Sequence, residues 1–248
     1  MRPGIDTIVA PPFPRGLEWV NVAMLRLDQQ LGRPVLVEFW DFCRPNSLRT
    51  LPYVKAWHER YAPAGLRVVG VHSPGFEPSR DNAAARAAVA RLGVEHAVLL
   101  DPELEVWNLY ENLGWPARYL FDQRLTLVDY HYGEGAYAET ERAIQELLGI
   151  ERDVVAPLRP EDDPDALIAA QTADQPGAYS GPYEAGAVWA VLDGRGEVVV
   201  NGRPVAVEHP GAYPIVVHER HTERVLDLRV GAGVTCHAVC FTPGVAGV

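Results

Sequence analysis

Seven consecutive residues, Asp41-Phe-Cys-Arg-Pro-Asn-Ser47, place a carboxylate, a thiol, a guanidinium, a carboxamide and a hydroxyl in one short stretch. A thiol attacks only as its thiolate, and Arg44 beside Cys43 favours that form. On this reading Cys43 is a lone nucleophile, able to form a mixed disulfide or to be oxidised by peroxide. The competing reading makes it a small residue filling a turn, since a free cysteine most often behaves as a small hydrophobe. The short reach of a helix dipole favours the second reading, because Cys43 precedes the helix. Arg44 also reads as an anion binder, for a helix N-terminus carrying a guanidinium attracts a carboxylate or a phosphate. Against this, the same dipole repels Arg, and an exposed side chain without a task is the plainer account. Asp41 is placed to pair locally with Arg44. His72, ahead of Ser73-Pro74, reads as a hydrogen-bonded strand end rather than a proton shuttle.

A second group of ligating residues lies near the C-terminus, in Cys236-His-Ala-Val-Cys240 with His209, His218 and His221. If residues 234–240 form a strand, Val234, Cys236, Ala238 and Cys240 share one face. Four residues at roughly 3.3 Å each then separate the two cysteines by about 13 Å, too far for a disulfide. Two buried thiols are the expectation. The spacing matches no zinc signature, and His218 and His221 fall in an expected loop, so no metal site is predicted.

The elements that hold these residues follow from the hydrophobic pattern. Pro34-Val-Leu-Val-Glu-Phe-Trp40 reads as a buried strand, and Pro45 to Tyr61 as a helix with Leu48, Leu51, Val54, Trp57 and Tyr61 at three- and four-residue spacing. Pro45 suits a first helical position, and Pro52 is expected to kink the helix. Strands are predicted at Leu66–Val71, Ala97–Leu100, Ala117–Phe121 and Leu125–Tyr132. Helices are predicted at Ala83–Leu92, Leu104–Leu113 and Tyr137–Leu148, with Asp101-Pro102 starting the second and Gly93 and Gly149 stopping the others. The order β-α-β-α-β-α-β-β-α implies an α/β domain with a mixed sheet.

Residues 151–185 differ, being broken by Pro157, Pro160, Pro164, Pro176 and Pro182 and made acidic by Glu161-Asp-Asp-Pro-Asp165. They read as a linker with one helical turn near Ala166 to Gln171. From Gly186 the pattern is strand-like, with Asn201-Gly202 a two-residue hairpin turn and Leu226, Leu228 and Val230 on one buried face. Five or six short strands imply a small β-sandwich. The expected division is therefore an N-terminal extension (1–33), an α/β domain (34–150), a linker (151–185) and a β-rich domain (186–248).

Composition narrows the function. The 248 residues are 48% hydrophobic and 22% charged, ordinary for a globular chain, and Lys55 is the only lysine. A net charge of −11 argues against a nucleic-acid footprint. No run approaches the roughly 20 apolar residues that cross a bilayer, so no membrane partner is expected. Met1 to Pro14 lacks the basic start and apolar core of a secretory signal, which makes a soluble cytoplasmic protein with reduced cysteines the expectation, although a chain trimmed of its leader would look the same.

Five blocks in order carry a resemblance: Val35-Leu-Val-Glu-Phe-Trp40, Leu48-Arg-Thr-Leu-Pro-Tyr53, Val69-Gly-Val-His-Ser-Pro74, Gly114-Trp-Pro-Ala-Arg-Tyr-Leu120 and Gly133-Glu-Gly-Ala-Tyr137. Together they resemble the thioredoxin fold, in particular the redoxin domain of TlpA-type thiol-disulfide oxidoreductases and the soluble C-terminal part of DipZ-type cytochrome c biogenesis proteins. Val198-Val-Val-Asn-Gly-Arg-Pro-Val205 and Phe241-Thr-Pro-Gly244 look like the β-domain appended in DipZ-type proteins. The resemblance implies a Cys-x-x-Cys at the start of the helix after the first core strand. Gapless threading puts Arg44-Pro45-Asn46-Ser47 there, so Arg44 replaces the nucleophile and Ser47 the resolving thiol. It also implies that Trp115-Pro116 is the cis-proline loop, which pairs with extended peptides in the family; a purely structural turn is the alternative.

The expected function is that of a thioredoxin-like binding module without redox activity or cofactor. Asp41, Arg44, Asn46, Ser47, Trp115 and Pro116 would meet a small anion or an extended peptide. The alternative is an enzyme, a monothiol oxidoreductase or peroxidase using Cys43 alone.

Overall fold

The computed structural model describes residues 8–247. The chain divides into two compact units: one takes the described residues up to Phe42 with 46–75 and 79–156, the other takes 43–45, 76–78 and the residues from Pro157 on.

The first unit runs β1 (Trp19–Val20), β2 (Val35–Trp40), α1 (Pro45–Tyr61), β3 (Arg67–His72), α2 (Asn82–Arg91), β4 (Ala97–Leu100), α3 (Glu105–Leu109), β5 (Ala117–Phe121), β6 (Leu127–Tyr132) and α4 (Tyr137–Leu148). The six strands form one sheet in the order β1-β4-β3-β2-β5-β6. β2, β3 and β4 are parallel, while β5 runs antiparallel to β2 and to β6. All six residues of β2 are buried, as expected for a strand covered on both faces. The two-residue alternation of a strand then sorts its side chains. Val35, Val37 and Phe39 join Val69, Val71, Leu99, Tyr110 and Tyr119 on one face. Leu36 packs on the other face with Tyr53, Val54, Trp57 and Tyr61 of α1 and Ile144 of α4. The stretch ahead of β2 adds more than an extension, since β1 pairs along β4 and Ala10, Leu25 and Leu27 enter the first cluster.

α1 begins at Pro45, and Pro52 does not interrupt it. α3 is shorter than the sequence pattern predicts. Leu104 and Glu111 both take positive φ, 59° and 48°, so the helix neither starts at the first nor passes through the second. β6 likewise starts two residues late. Leu125 sits at φ 63°, in a loop held by the Asp122 carboxylate, which accepts from the backbone N–H of Arg124 and of Thr126.

The second unit is built from β7 (Ile168–Ala169), β8 (Gln175–Pro176), β9 (Gly181–Gly194), β10 (Gly196–Val200), β11 (Arg203–Val207), β12 (Gly211–Leu226), β13 (Leu228–Val230), β14 (Val234–Thr242) and β15 (Gly244–Val245). A four-stranded sheet, β12-β9-β14-β8, and a three-stranded sheet, β11-β10-β13, share one core through Val188, Ala190, Leu192, Val198, Val200, Leu226, Leu228, Val239 and Phe241. This is the small β-sandwich read from the sequence. Its predicted hairpin is present, with Asn201 and Gly202 at φ 49° and 79° between β10 and β11, the paired positive angles of a type I′ turn.

Three local features differ from expectation. The helical turn predicted near Ala166 to Gln171 is strand β7, because pairing with β15 satisfies backbone groups that an isolated turn leaves open. His218 and His221 lie within β12 rather than in a loop. Finally, a register shift between Cys236 and Ala238 breaks the alternation of β14. Val234 and Cys236 therefore pack on the core with Val239 and Phe241, Cys236 only half-buried, while Cys240 is buried as expected but outside that cluster.

Candidate functional site

The C-terminal ends of β2, β3 and β4 converge, and short polar links tie them together. The Ser73 N–H donates to the Trp40 carbonyl and the Asp101 N–H to the His72 carbonyl, both at backbone distance. From β2 the chain enters the turn that leads to α1. The Asp41 N–H donates to Ser47 Oγ at 3.2 Å, and Asp41 Oδ2 accepts from the Gly75 N–H at 2.8 Å. Asp41 Oδ1 lies 3.7 Å from His72 Nε2, with both side chains buried. The His72 ring stacks on Phe42 at 5.2 Å and meets the edge of Trp40. His72 is thus a packed strand-end residue facing a carboxylate.

Ser47 has no exposed surface, and its hydroxyl serves the turn as a hydrogen-bond acceptor. Cys43 is also fully buried, at 0% exposure. Arg44 directly precedes the first helical residue, and its guanidinium lies over the Phe76 ring at 4.8 Å. Asn46 is exposed. None of the three cysteines forms a disulfide. Burial pushes the Cys236 thiol up to about 11 and raises that of Cys240 as well, so neither is a thiolate at neutral pH.

The Trp115–Pro116 peptide bond is cis, as the resemblance implies. The Trp115 indole N–H donates to the Ser73 carbonyl at 2.8 Å and packs on Trp107 with ring centres 4.0 Å apart. The loop is therefore anchored at the same end of the sheet as Asp41 and Asp101.

Two features of this region were not picked out from the sequence. Asp101 does more than start a helix: it accepts from Ser73 Oγ at 2.9 Å, from the Val106 N–H at 3.0 Å and from the Trp107 N–H at 2.9 Å. Burial nevertheless raises its pKa above the ordinary carboxylate value. Asp101→Ala is expected to lower stability by about 2–3 kcal/mol, since it removes a cap and strands the buried Ser73 hydroxyl. Urea unfolding measures this, and an unchanged midpoint would mean that the three bonds contribute nothing.

The second feature is a buried pair of ionisable side chains. Glu38 of β2 stands opposite Arg118 of β5 in the sheet register. Both Glu38 oxygens lack a hydrogen-bond partner, and burial pushes the carboxyl up to about 8 against the opposing pull of Arg118. Arg118 is held between the rings of Trp57 and Tyr137 and donates to the Gly135 carbonyl. A Glu and an Arg, each inside an otherwise apolar strand, were the available signal.

Among the described residues, no three His, Cys, Asp or Glu side chains are grouped to hold a metal ion, the histidines considered for one included. His218 hydrogen-bonds Tyr183, His221 lies 3.5 Å from Glu184, and His209 stacks on Tyr213.

No family model matches the chain. Protein DipZ of Mycobacterium bovis is 34% identical over 168 residues, which is 66% of this chain and 24% of that protein. The thiol-disulfide oxidoreductase YkuV of Bacillus subtilis is 25% identical over 131 residues, 52% of this chain and 87% of that one. Among solved structures, a thiol-disulfide isomerase from Corynebacterium glutamicum matches with a TM-score of 0.51 and 20% identity, covering 57% of this chain and 98% of that one. The chain thus spans about a quarter of the length of the first curated relatives it matches.

Proposed function

Because the chain belongs to the thioredoxin-like redoxin family, with thiol-disulfide oxidoreductases among its relatives, we propose that it is a member in which ligand binding has replaced dithiol exchange. The observation that carries this reading is the composition and burial of the α1 start. Arg44 and Ser47 stand at its first turn, Ser47 Oγ is engaged by the Asp41 N–H, and Cys43 has no exposed surface. A guanidinium cannot attack a disulfide, a hydroxyl of ordinary acidity cannot resolve one, and a buried thiol cannot meet a protein disulfide.

The same residues are suited to holding a ligand. A guanidinium at a helix N-terminus favours a carboxylate or other anionic group, and the exposed Asn46 carboxamide adds a donor and an acceptor. A loop of the Trp115–Pro116 kind offers main-chain groups to an extended segment. The ligand proposed is an extended peptide bearing an acidic group.

The test is a pair of assays on the full chain. Insulin disulfide reduction with dithiothreitol is expected to run at the uncatalysed rate, and Cys43→Ser to leave it there. Turnover that Cys43→Ser abolishes would replace the binding reading with that of a monothiol enzyme. Titration with an acidic peptide, followed by NMR, is expected to shift the resonances of the Asn46 and Ser47 amides, and Arg44→Gln to weaken binding about tenfold, the loss of one charge-assisted contact. Equal binding by the variant would remove Arg44 from the site.

A further inference from the structure

A second candidate site lies about 20 Å along α1 from Arg44, at the opposite end of the helix. There a cleft of about 330 Å³ is lined by Lys55, His58 and Glu59 of α1, by Gly93 after α2, and by Glu95 and His96 ahead of β4. That volume is near the lower end of the roughly 300–1,000 Å³ typical of small-molecule sites, which restricts the ligand to a small one.

The wall of the cleft contains polar atoms that the protein leaves unanswered. His96 is 1% exposed, and neither of its ring nitrogens has a hydrogen-bond partner. His58 Nδ1 is likewise buried and unpartnered, and the two rings meet edge to face at 5.7 Å. Buried polar atoms are satisfied in the great majority of cases, so a fully buried imidazole with two open nitrogens needs an explanation. Burial, aided by His58 and Lys55, pushes His96 down to about 3, which keeps its ring neutral with one donor and one acceptor. The ring packs closely on Gly70, whose missing side chain makes room for it: a Cβ there would stand 3.1 Å from His96 Nε2 and 3.0 Å from Trp40 Nε1.

The charges around the cleft have both signs. Lys55 Nζ spends one donor on the Leu92 carbonyl at 2.7 Å and keeps two. Glu59 and Glu95 are exposed carboxylates. A metal ion is not indicated, because no three His, Cys, Asp or Glu side chains among the described residues are arranged to hold one, and an ammonium stands in the same lining.

We propose that this cleft binds a small zwitterion, an α-amino acid, with its carboxylate at Lys55, its ammonium at Glu59 and Glu95, and a ring nitrogen of His96 supplying a further hydrogen bond. The proposal is independent of the reading of the α1 N-terminus.

The test uses the full chain and ligand-observed NMR with glycine, alanine and serine, each against its methyl ester and its N-acetyl derivative. Binding of the free amino acids is expected, weakened at least tenfold when either charged end is blocked. Glu95→Gln, at an exposed position, is expected to weaken binding about tenfold, as is Lys55→Met in protein confirmed as folded by circular dichroism. Glu111→Gln, outside the cleft, is expected to change nothing. No binding of any free amino acid at millimolar concentration would overturn the proposal. So would equal binding of the blocked forms, or undiminished binding by folded Glu95→Gln.

Discussion

Sulfur restored at positions 44 and 47, in the triple variant Cys43→Ser, Arg44→Cys, Ser47→Cys, is expected to turn the chain into a disulfide reductase. Position 44 precedes the first helical residue and position 47 lies within the first turn. A thiol there faces the open backbone N–H groups and positive end of α1, where thiol pKa values fall from about 8.5 into the range of roughly 3.5–7.5. Ser47 already makes a backbone contact with Asp41 from a fully buried position, so a sulfur of similar size fits the place of a protected resolving thiol. Insulin reduction by the variant should exceed the wild type by at least about tenfold, in proportion to the gain in thiolate at neutral pH. Thiol titration after mild oxidation should find the two new cysteines joined, with Cys236 and Cys240 still as thiols. A folded variant that neither closes this disulfide nor reduces insulin would show that positions 44 and 47 cannot host a working dithiol in this chain.

The second large effect concerns Glu38. Its carboxyl holds its proton up to about pH 8 in the folded chain, against an ordinary value of 4.5, chiefly because burial disfavours the charge. Between those two values the unfolded chain has lost a proton that the folded chain keeps. The contribution of Glu38 to stability is therefore fully present below pH 4.5, declines as pH rises, and is lost by about pH 8. At roughly 1.4 kcal/mol per unit the full swing is on the order of 5 kcal/mol. Glu38→Gln keeps the shape of the protonated acid and cannot ionise. Relative to wild type it should gain stability steadily from pH 5 to pH 8, and urea unfolding across that range measures the difference. A constant difference would mean that Arg118 keeps Glu38 ionised, and that the pair is an ordinary buried salt bridge. His96 acts with the opposite sign. Its folded value of about 3 makes its contribution present above the ordinary 6.5 and lost as pH falls, so subtraction of the two profiles separates the residues.

Much of this architecture was legible before any coordinates. The strand Val35–Trp40, the helix Pro45–Tyr61 and the Asn201-Gly202 hairpin are local features, written in hydrophobic spacing and turn chemistry. The end of α3 was not legible, because positive φ at Leu104 and Glu111 is imposed by surroundings rather than by residue type. The face presented by Cys240 was misread for a related reason: one extra residue in β14 inverts every assignment beyond it, and the bulge exists only relative to β9.

The amino-acid order by itself determined the run of elements and the identity of the groups at the α1 start. Both depend chiefly on covalent neighbours and on backbone preferences a few residues long; where a distant partner intervened, as β15 does at β7, the local reading failed. Tertiary structure alone decided that Cys43 is buried, that Asp101 collects three donors, that Glu38 faces Arg118, and that His58 and His96 line one cleft with Lys55. Desolvation and hydrogen bonding act between atoms that approach only once the sheet is assembled. Residues 38 and 118, or 58 and 96, carry no trace of each other until then.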